Sequence, residues 1–472
     1  MMLDGRKVLV VGAGRSGIAA ARLCAARGAS VTLTDARSEA DLGDIGKALP
    51  NVRLELSGHR APSFTGADLI VLSPGVPPTI AEMVAAKQHG VAITGEAELA
   101  ARFIKAPLVA ITGTNGKSTV TSLCGEIARA SGRPTFVGGN LGTPLSEAVG
   151  TDAATQQGVV VCELSSFQLE TLEAMHPRAA VLLNVTPDHL DRYPTMTAYA
   201  DAKMRVMKNL GAGDVFVMNE DDPGCLEAYR RHVGGWLPLL TYSTTGRPKH
   251  RYSQAVGDGV VEMDVGGFVD GAFLVLRLSG PGGVTEERYP IADLHIVGRH
   301  NLGNALAAYL AMRGAGLCTS DHVRAGARGF QPLPHRMQLV GERHGVRFYD
   351  DSKGTNVAAV VASIDGFPSP FILIAGGRDK GGSYQPLREA LARNHARAVV
   401  VIGEAAERIA AAVEGVAPVH RAASMPEAVR AAADLASDGD AVVLSPACSS
   451  YDMFKDYTHR GRAFREAVGA LG

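Results

Sequence analysis

The chain has 472 residues, 46% of them apolar and 20% charged, with a net charge of −1. That length holds about three ordinary globular domains, and the near-zero charge excludes a partner recognised through bulk electrostatics, whether nucleic acid or an anionic membrane. The six cysteines, Cys24, Cys124, Cys162, Cys225, Cys318 and Cys448, form no CxxC pair and read as reduced thiols. No apolar run reaches the roughly 18 residues of a membrane helix. The opening residues read as a short strand and a turn rather than a secretion signal, so a cytoplasmic protein with no membrane insertion is expected.

Residues 7–95 alternate strand and helix signals, as a parallel sheet requires. A buried-strand run at Lys7–Val11 is followed by a helix pattern over 17–27, a second strand over 30–35, and a third over 68–72 that ends at Ser73-Pro74-Gly75. Gly12-Ala13-Gly14-Arg15-Ser16-Gly17 lies between the first strand and its helix, with Asp35 at the end of the next strand. This is the dinucleotide fingerprint. The same geometry accepts any pyrophosphate, whether of a nicotinamide cofactor or of a nucleotide sugar. Nothing downstream resembles a hydride-transfer site, so the expected ligand is a diphosphate other than NAD.

Leu108 opens a second α/β unit. The strand Leu108–Thr112 runs into Gly113-Thr114-Asn115-Gly116-Lys117-Ser118-Thr119 and then a helix-like segment. The two glycines let successive N–H groups converge on an anion, and the helix adds its positive end. Lys117 suits the terminal phosphates and the Ser118 hydroxyl suits Mg²⁺. The position five residues before the Gly-Lys pair is Ile111, so this is a shorter relative of the full phosphate-loop pattern. Strands at 159–162 and 179–184 follow, each ending in polar residues. Glu163 stands where a second magnesium carboxylate belongs, and a strand-end Glu in a solvated turn fits the same pattern. Asn184 to Pro194 carries His189, a metal or phosphoryl ligand or else a solvated loop histidine. Lys203 falls in a helix pattern over 196–209, by default on its surface. Residues 240–296 read as an antiparallel excursion, and a strong helix follows over 301–313.

After Pro332-Leu333-Pro334, strands over 347–349, 371–375, 398–402 and 441–444 alternate with Ala-rich helices. Gly298-Arg299-His300-Asn301-Leu302-Gly303-Asn304 offers amides that cap a helix or read a base. Arg336 in Leu333-Pro334-His335-Arg336 is a phosphate-binding candidate. Three strand ends carry charge or hydroxyls: Asp351-Ser352-Lys353-Gly354-Thr355-Asn356, Gly376-Gly377-Arg378-Asp379-Lys380, and Ser445 to Lys455. Three such ends in one sheet point to a ligand at its carboxyl edge.

These motifs, in this order and spacing, resemble the Mur ligase family over essentially the whole chain. The resemblance implies an α/β fold of three consecutive domains: a Rossmann-like N-terminal domain (1–95) for a UDP substrate, a central mononucleotide-binding ATPase domain (96–332), and a C-terminal Rossmann-like domain (333–472) for the incoming amino acid and part of ATP. Within the family the motifs are most similar to those of members that add D-glutamate to UDP-N-acetylmuramoyl-L-alanine in peptidoglycan precursor synthesis. By that resemblance Arg15, Ser16, Asp35, Gly75 and Asn140 bind the UDP substrate. Gly113 to Thr119, Asn304, Arg336, Asp351 and Lys353 bind ATP. Thr355, Lys380, Ser450, Tyr451 and Tyr457 hold D-glutamate. Lys117, His189 and Lys203 serve catalysis, and Ser118, Glu163, His189 and a carbamylated Lys203 ligate Mg²⁺, with two ions expected. The enzyme is expected to act as a monomer. Tyr451 and Tyr457 stand where Leu and Phe are familiar, which leaves the pocket's detailed shape open. The sister folate-extending ligases usually place a glycine between Lys and Ser of the loop, whereas Lys117 is followed directly by Ser118.

Overall fold

The computed structural model describes residues 2–189, 192–232, 239–249, 252–256, 259–280, 282–296, 298–394 and 396–471. The chain forms two compact units. One comprises Met1–Val185, His189–Tyr289 and Ala305–Gly329, the other Thr186–Asp188, Pro290–Asn304 and Phe330–Gly472. Among the described residues no helix is long and apolar enough to cross a membrane.

The first unit holds two main sheets. The smaller contains β1 (Lys7–Val11), β2 (Ser30–Thr34), β3 (Arg53–Glu55), β4 (Leu69–Leu72) and β5 (Ala92–Gly95), all parallel, in the order β3-β2-β1-β4-β5. Helices cover both faces, which is why β1 and β4 are near-continuous apolar runs rather than alternating ones. Val8, Val10 and Val71 pack with Leu23 and Leu99 on one face, while Leu9, Val11 and Ile70 pack with Phe64 and Met83 on the other. Each such buried side chain contributes roughly 1.5–3 kcal/mol. The chain order reverses between β1 and β4, so the loops after these two strands flank a crevice at the carboxyl edge.

The larger sheet contains β6 (Leu108–Thr112), β7 (Thr135–Gly139), β8 (Val159–Glu163), β9 (Ala179–Leu182), β10 (Val215–Asn219) and β11 (Leu239–Ser243). A separate pair, β12 (Tyr252–Val256) and β13 (Gly259–Met263), is antiparallel. The main sheet resumes with β14 (Gly266–Asp270), β15 (Phe273–Gly280) and β16 (Gly283–Pro290), in the order β16-β15-β14-β11-β10-β9-β6-β8-β7. The expected antiparallel excursion over 240–296 is therefore antiparallel only in part. β14 pairs in parallel with β11, and the direction changes only at β15. The helix Lys117–Ala130 leaves β6, and the helix Ser320–Gly329 packs so tightly on it that a Cβ at Gly326 would lie 2.7 Å from Ile127 Cα.

The second unit is built on β17 (Gln338–Arg343), β18 (Val346–Asp350), β19 (Phe371–Gly376), β20 (Ala396–Ile402), β21 (Val419–Arg421) and β22 (Ala441–Leu444), in the order β17-β18-β22-β19-β20-β21. Only β17 is antiparallel to its neighbour. Val360, Leu387 and Ile409 cover one face, and Met425, Val429 and Phe464 the other. The helix expected over 196–209 runs Met196–Met204 and tightens to a 3₁₀ turn over Arg205–Met207.

Candidate active site

At the carboxyl edge of the first sheet, Gly12 to Gly17 turn from β1 into the helix Arg15–Ala26, whose N-cap Gly14 makes no side-chain capping bond. A Cβ at Gly17 would lie 1.8 Å from the Gly12 carbonyl oxygen, so the close turn requires glycine. Ser73 Oγ donates to that same carbonyl at 3.0 Å, which seats the Ser73-Pro74-Gly75 loop beside the turn. Arg15 is exposed and Ser16 half-buried at the helix start. Asp35 is buried and accepts four hydrogen bonds: from Ala13 N at 2.7 Å and from Arg37 N, Nε and Nη2 at 2.8–3.0 Å. The Arg37 guanidinium holds this carboxyl down to about 2. Its acceptor capacity is therefore committed inside the protein, which removes the free carboxylate that would grip a nicotinamide cofactor's ribose.

In the larger sheet β6 lies between β8 and β9, and Ile111 stands directly opposite Glu163. The loop that follows uses two positive-φ glycines, Gly113 at +149° and Gly116 at +83°. Gly116 is the N-cap of the helix Lys117–Ala130 and makes no side-chain capping bond. The Thr114 and Asn115 amides point instead at Asn184 Oδ1, at 2.9 and 2.7 Å. Lys117 folds back over the loop and donates to the Gly113 and Thr114 carbonyls at 3.0 and 2.9 Å. Ser118 and Thr119 are buried in the first turn.

Lys203, 1% exposed, is not a surface lysine. Its Nζ donates to the Gly113 carbonyl at 2.8 Å and lies 4.4 Å from the centroid of the Tyr199 ring. The Tyr199 hydroxyl in turn meets Thr114 Oγ1 at 3.3 Å. Glu163 is 3% exposed; its Oε1 accepts from Asn140 Nδ2 at 2.8 Å. Its Oε2 is buried and has no hydrogen-bond partner among the described residues. An orphaned carboxylate oxygen is costly unless a cation or donor joins it, and hard oxygen ligands suit Mg²⁺. His189 adopts φ +55° and meets the Phe167 ring edge-on at 4.9 Å. Leu190 and Asp191 of its motif lie outside the described residues. Among the described residues no three His, Cys, Asp or Glu side chains cluster as a metal site. The expected ligand set contains only two such side chains, Glu163 and His189, and takes its other oxygens from Ser118 and a modified Lys203.

In the second unit three loops are sewn together at one sheet edge. Ala447 N donates to Gly354 O at 2.9 Å, and Gly376 N donates to Pro446 O at 2.8 Å. Asp351 is buried, accepts from Ser363 Oγ at 2.8 Å and Ser445 Oγ at 2.6 Å, and has its carboxyl pushed up to about 6 by burial. Lys353 Nζ lies 4.0 Å from the centroid of the Tyr457 ring, so residues expected for ATP and for the amino acid meet. Thr355 and Arg336 are half-buried, Ser450 is buried, and Lys380 and Tyr451 are exposed. Asn304 Nδ2 donates to Asn301 Oδ1 at 3.0 Å within the first two turns of the helix Arg299–Gly314.

Sequence reasoning missed three supports. Asn184 organises the phosphate loop from 70 residues away. His335 Nδ1 pairs with buried Asp350 at 2.6 Å. Arg460, fully buried, grips Ser352 O and Cys448 O at 2.8 and 3.1 Å and so joins two of the three loops. A strand-end Asn was visible as a signal for the first, but a helical arginine gave none for the last.

Three family models match the chain in order: Mur ligase MurD-like, N-terminal domain (residues 6–95), Mur ligase middle domain (111–312), and Mur ligase, glutamate ligase domain (335–448). The UDP-N-acetylmuramoylalanine–D-glutamate ligase of Syntrophotalea carbinolica is 45% identical over 473 residues, covering 99% of this chain and 98% of that protein. The ligase of the same name from Anaeromyxobacter dehalogenans is 46% identical over 468 residues, covering 98% and 97%. Among solved structures, a pseudomurein peptide ligase type C from Methanothermus fervidus aligns with TM-score 0.61 at 19% identity, over 99% of this chain and 100% of its own. MurF ligase from Thermotoga maritima in complex with ADP aligns with TM-score 0.57 at 17% identity, over 99% and 97%. Likeness at such identities bears on the fold, which is the three-domain α/β fold of these ligases.

Proposed function

Because this chain belongs to the Mur ligase family, we propose that it joins D-glutamate to UDP-N-acetylmuramoyl-L-alanine with ATP as phosphoryl donor, in peptidoglycan precursor synthesis. The observation that carries this reading is the 45% identity to a D-glutamate ligase along 99% of the chain. The phosphate loop and the three joined strand ends supply groups of the right chemistry.

An amine cannot displace oxide from a carboxylate. The γ-phosphoryl group therefore passes first to an oxygen of the L-alanyl carboxylate, breaking its bond to ADP and giving an acyl phosphate. The D-glutamate amine then adds to the acyl carbon, and the tetrahedral intermediate expels inorganic phosphate as the amide forms and the amine proton is lost. Lys117 is set to exchange its loop carbonyls for the terminal phosphates, with Arg336 and Lys353 adding positive charge from the last domain. Ser118, Glu163 and His189 would hold one Mg²⁺, and Lys203, once carbamylated, would offer a carboxylate to a second. Mg²⁺ held there offsets the repulsion between the two anions that must meet.

In this reading the domain limits are 1–95, 96–332 and 333–472, and the enzyme works as a cytoplasmic monomer. Arg15, Ser16, Asp35, Gly75 and Asn140 serve the UDP substrate, Asp35 by holding Ala13 and Arg37 in place. Asn140 also orients Glu163. Thr355, Lys380, Ser450, Tyr451 and Tyr457 serve D-glutamate. The test is phosphate release from ATP in the presence of UDP-N-acetylmuramoyl-L-alanine, comparing D-glutamate with L-glutamate, L-lysine and diaminopimelate. Release with D-glutamate alone is expected. Release only with diaminopimelate, or with none of the four, overturns the reading.

A further inference from the structure

We infer that Arg192 is a positioning residue that ties the Ser73-Pro74-Gly75 loop of the first sheet to the Phe167 ring and, through that ring, to His189. Its guanidinium makes three separate contacts. Nη2 pairs with Glu170 Oε2 at 2.6 Å, Nη1 donates to the Pro74 carbonyl at 3.3 Å, and the group lies 4.0 Å from the centroid of the Phe167 ring. The second oxygen of Glu170 is taken by the Tyr193 hydroxyl at 2.6 Å, which fixes the carboxylate. Arg192 is only 19% exposed, so these contacts form with most of the side chain out of water.

Each contact leads to a different part of the site. Pro74 precedes Gly75 in the loop that Ser73 seats against the glycine turn. Phe167 presses edge-on against His189, whose backbone sits at φ +55°. Such a conformation in a non-glycine residue costs roughly 1 kcal/mol or more and persists only when its surroundings hold it. A planar fork that stacks on one ring face while bonding in two directions is a property of arginine and not of lysine. A cavity of about 280 Å³ opens beside the clasp, lined in part by Ser73, Pro74, Gln168 and Glu170. The loop and the ring are thus not wedged in place by packing alone, and the guanidinium sets their spacing.

This inference rests on the proposed ligase reaction, and the test separates the two. Wild type is first assayed for D-glutamate-dependent phosphate release; absence of release there speaks against the reaction, not against the clasp. With release present, Arg192→Gln is expected to raise KM for UDP-N-acetylmuramoyl-L-alanine and to lower kcat, each about tenfold, because misplacements of an ångström cost that much or more. KM for ATP stays within about twofold. Arg192→Lys recovers little, since it restores charge but neither fork nor stacking. Phe167→Leu lowers kcat, and adding it to Arg192→Gln costs little more. A readout free of activity is the His189 imidazole NMR signal, assigned through His189→Gln, which should shift in Arg192→Gln. If Arg192→Gln does not fold, Glu170→Gln and Phe167→Leu carry the same measurements. Unchanged kinetics and an unchanged His189 signal, or full recovery by Arg192→Lys, would overturn the inference.

Discussion

Two ammonium groups, Lys117 and Lys203, converge on the single carbonyl of Gly113, at 3.0 and 2.8 Å. Only one of them is placed to leave. Lys117 is half-buried at the helix start and donates to the Gly113 and Thr114 carbonyls, partners that phosphate oxygens can replace. Lys117→Ala should keep the fold and lose about two to three orders of magnitude in phosphate release, the usual cost of deleting a group aimed at developing charge. A folded variant with near-normal turnover would remove Lys117 from the phosphate site. Lys203 is different, because it is buried against the Tyr199 ring and an ammonium there would repel a neighbouring Mg²⁺. Its neutral amine can add to carbon dioxide, losing a proton and gaining a carboxylate that would suit the ion. Incubation with ¹³C-bicarbonate should give a carbamate NMR signal that is absent in Lys203→Ala, and short carboxylic acids should partly restore activity to that variant. Wild type without such a signal would leave Lys203 an ordinary structural lysine.

The short helix Glu96–Ala101 shows how an element can hold charge inside a fold. Glu98 accepts from the backbone amides of Glu173, Ala174 and Met175 at 2.9–3.0 Å, while Glu96 accepts from Ser146 N at 2.6 Å. The other Glu96 oxygen is buried with no hydrogen-bond partner among the described residues, and burial pushes the carboxyl up to about 7 from 4.5. A raised carboxyl pKa means the native state keeps its proton longer than the unfolded chain. This group's stabilisation is therefore intact below pH 4.5 and is lost as pH rises to about 7, by roughly 3 kcal/mol in all. Glu96→Gln should match wild type in denaturant melts near pH 4.5 and exceed it near pH 8; parallel curves at both pH values would refute this. None of it is legible from the chain, because the amides that Glu98 accepts from and the one that Glu96 accepts from lie 50 to 77 residues away in sequence. Strands and strand-end motifs were legible because each is a local run of a few residues with a strong period or composition. The short strands Arg53–Glu55 and Val419–Arg421 escaped because three residues carry no period. Asn184 and Arg460 escaped as supports because their partners are brought close only by the folded sheet.

At the scale of the whole molecule, the proposed function gives each of the three sheet edges its own ligand: one at the glycine turn, one at the phosphate loop, and one at the three joined loops. That division has a kinetic consequence, because a side chain confined to one edge should alter the apparent affinity for one substrate and spare the others. Lys380 is the sharpest case. It is exposed on the loop after β19, and that loop is tied through Gly376 and Pro446 to the loop carrying Ser450. Thr355 stands on the third loop, joined through Gly354 and Ala447. One cation and two hydroxyls on loops held in register suit the two carboxylates of a dicarboxylic amino acid, the cation providing most of the pairing. An exposed lysine of a glycine-rich loop with no ligand at all is the competing account, and the two differ in what they predict. If Lys380 binds a carboxylate, Lys380→Ala raises KM for D-glutamate about tenfold or more, leaves KM for ATP within about twofold, and does not alter thermal stability. Amino acids lacking the second carboxylate, such as D-alanine or D-lysine, should be poor substrates for wild type, because they leave the site's donors unpaired. The same variant should narrow that discrimination, since the penalty for the missing carboxylate falls once its partner is gone. An unchanged KM for D-glutamate in Lys380→Ala, with each substrate varied in turn, would place the amino-acid pocket on other residues of this edge.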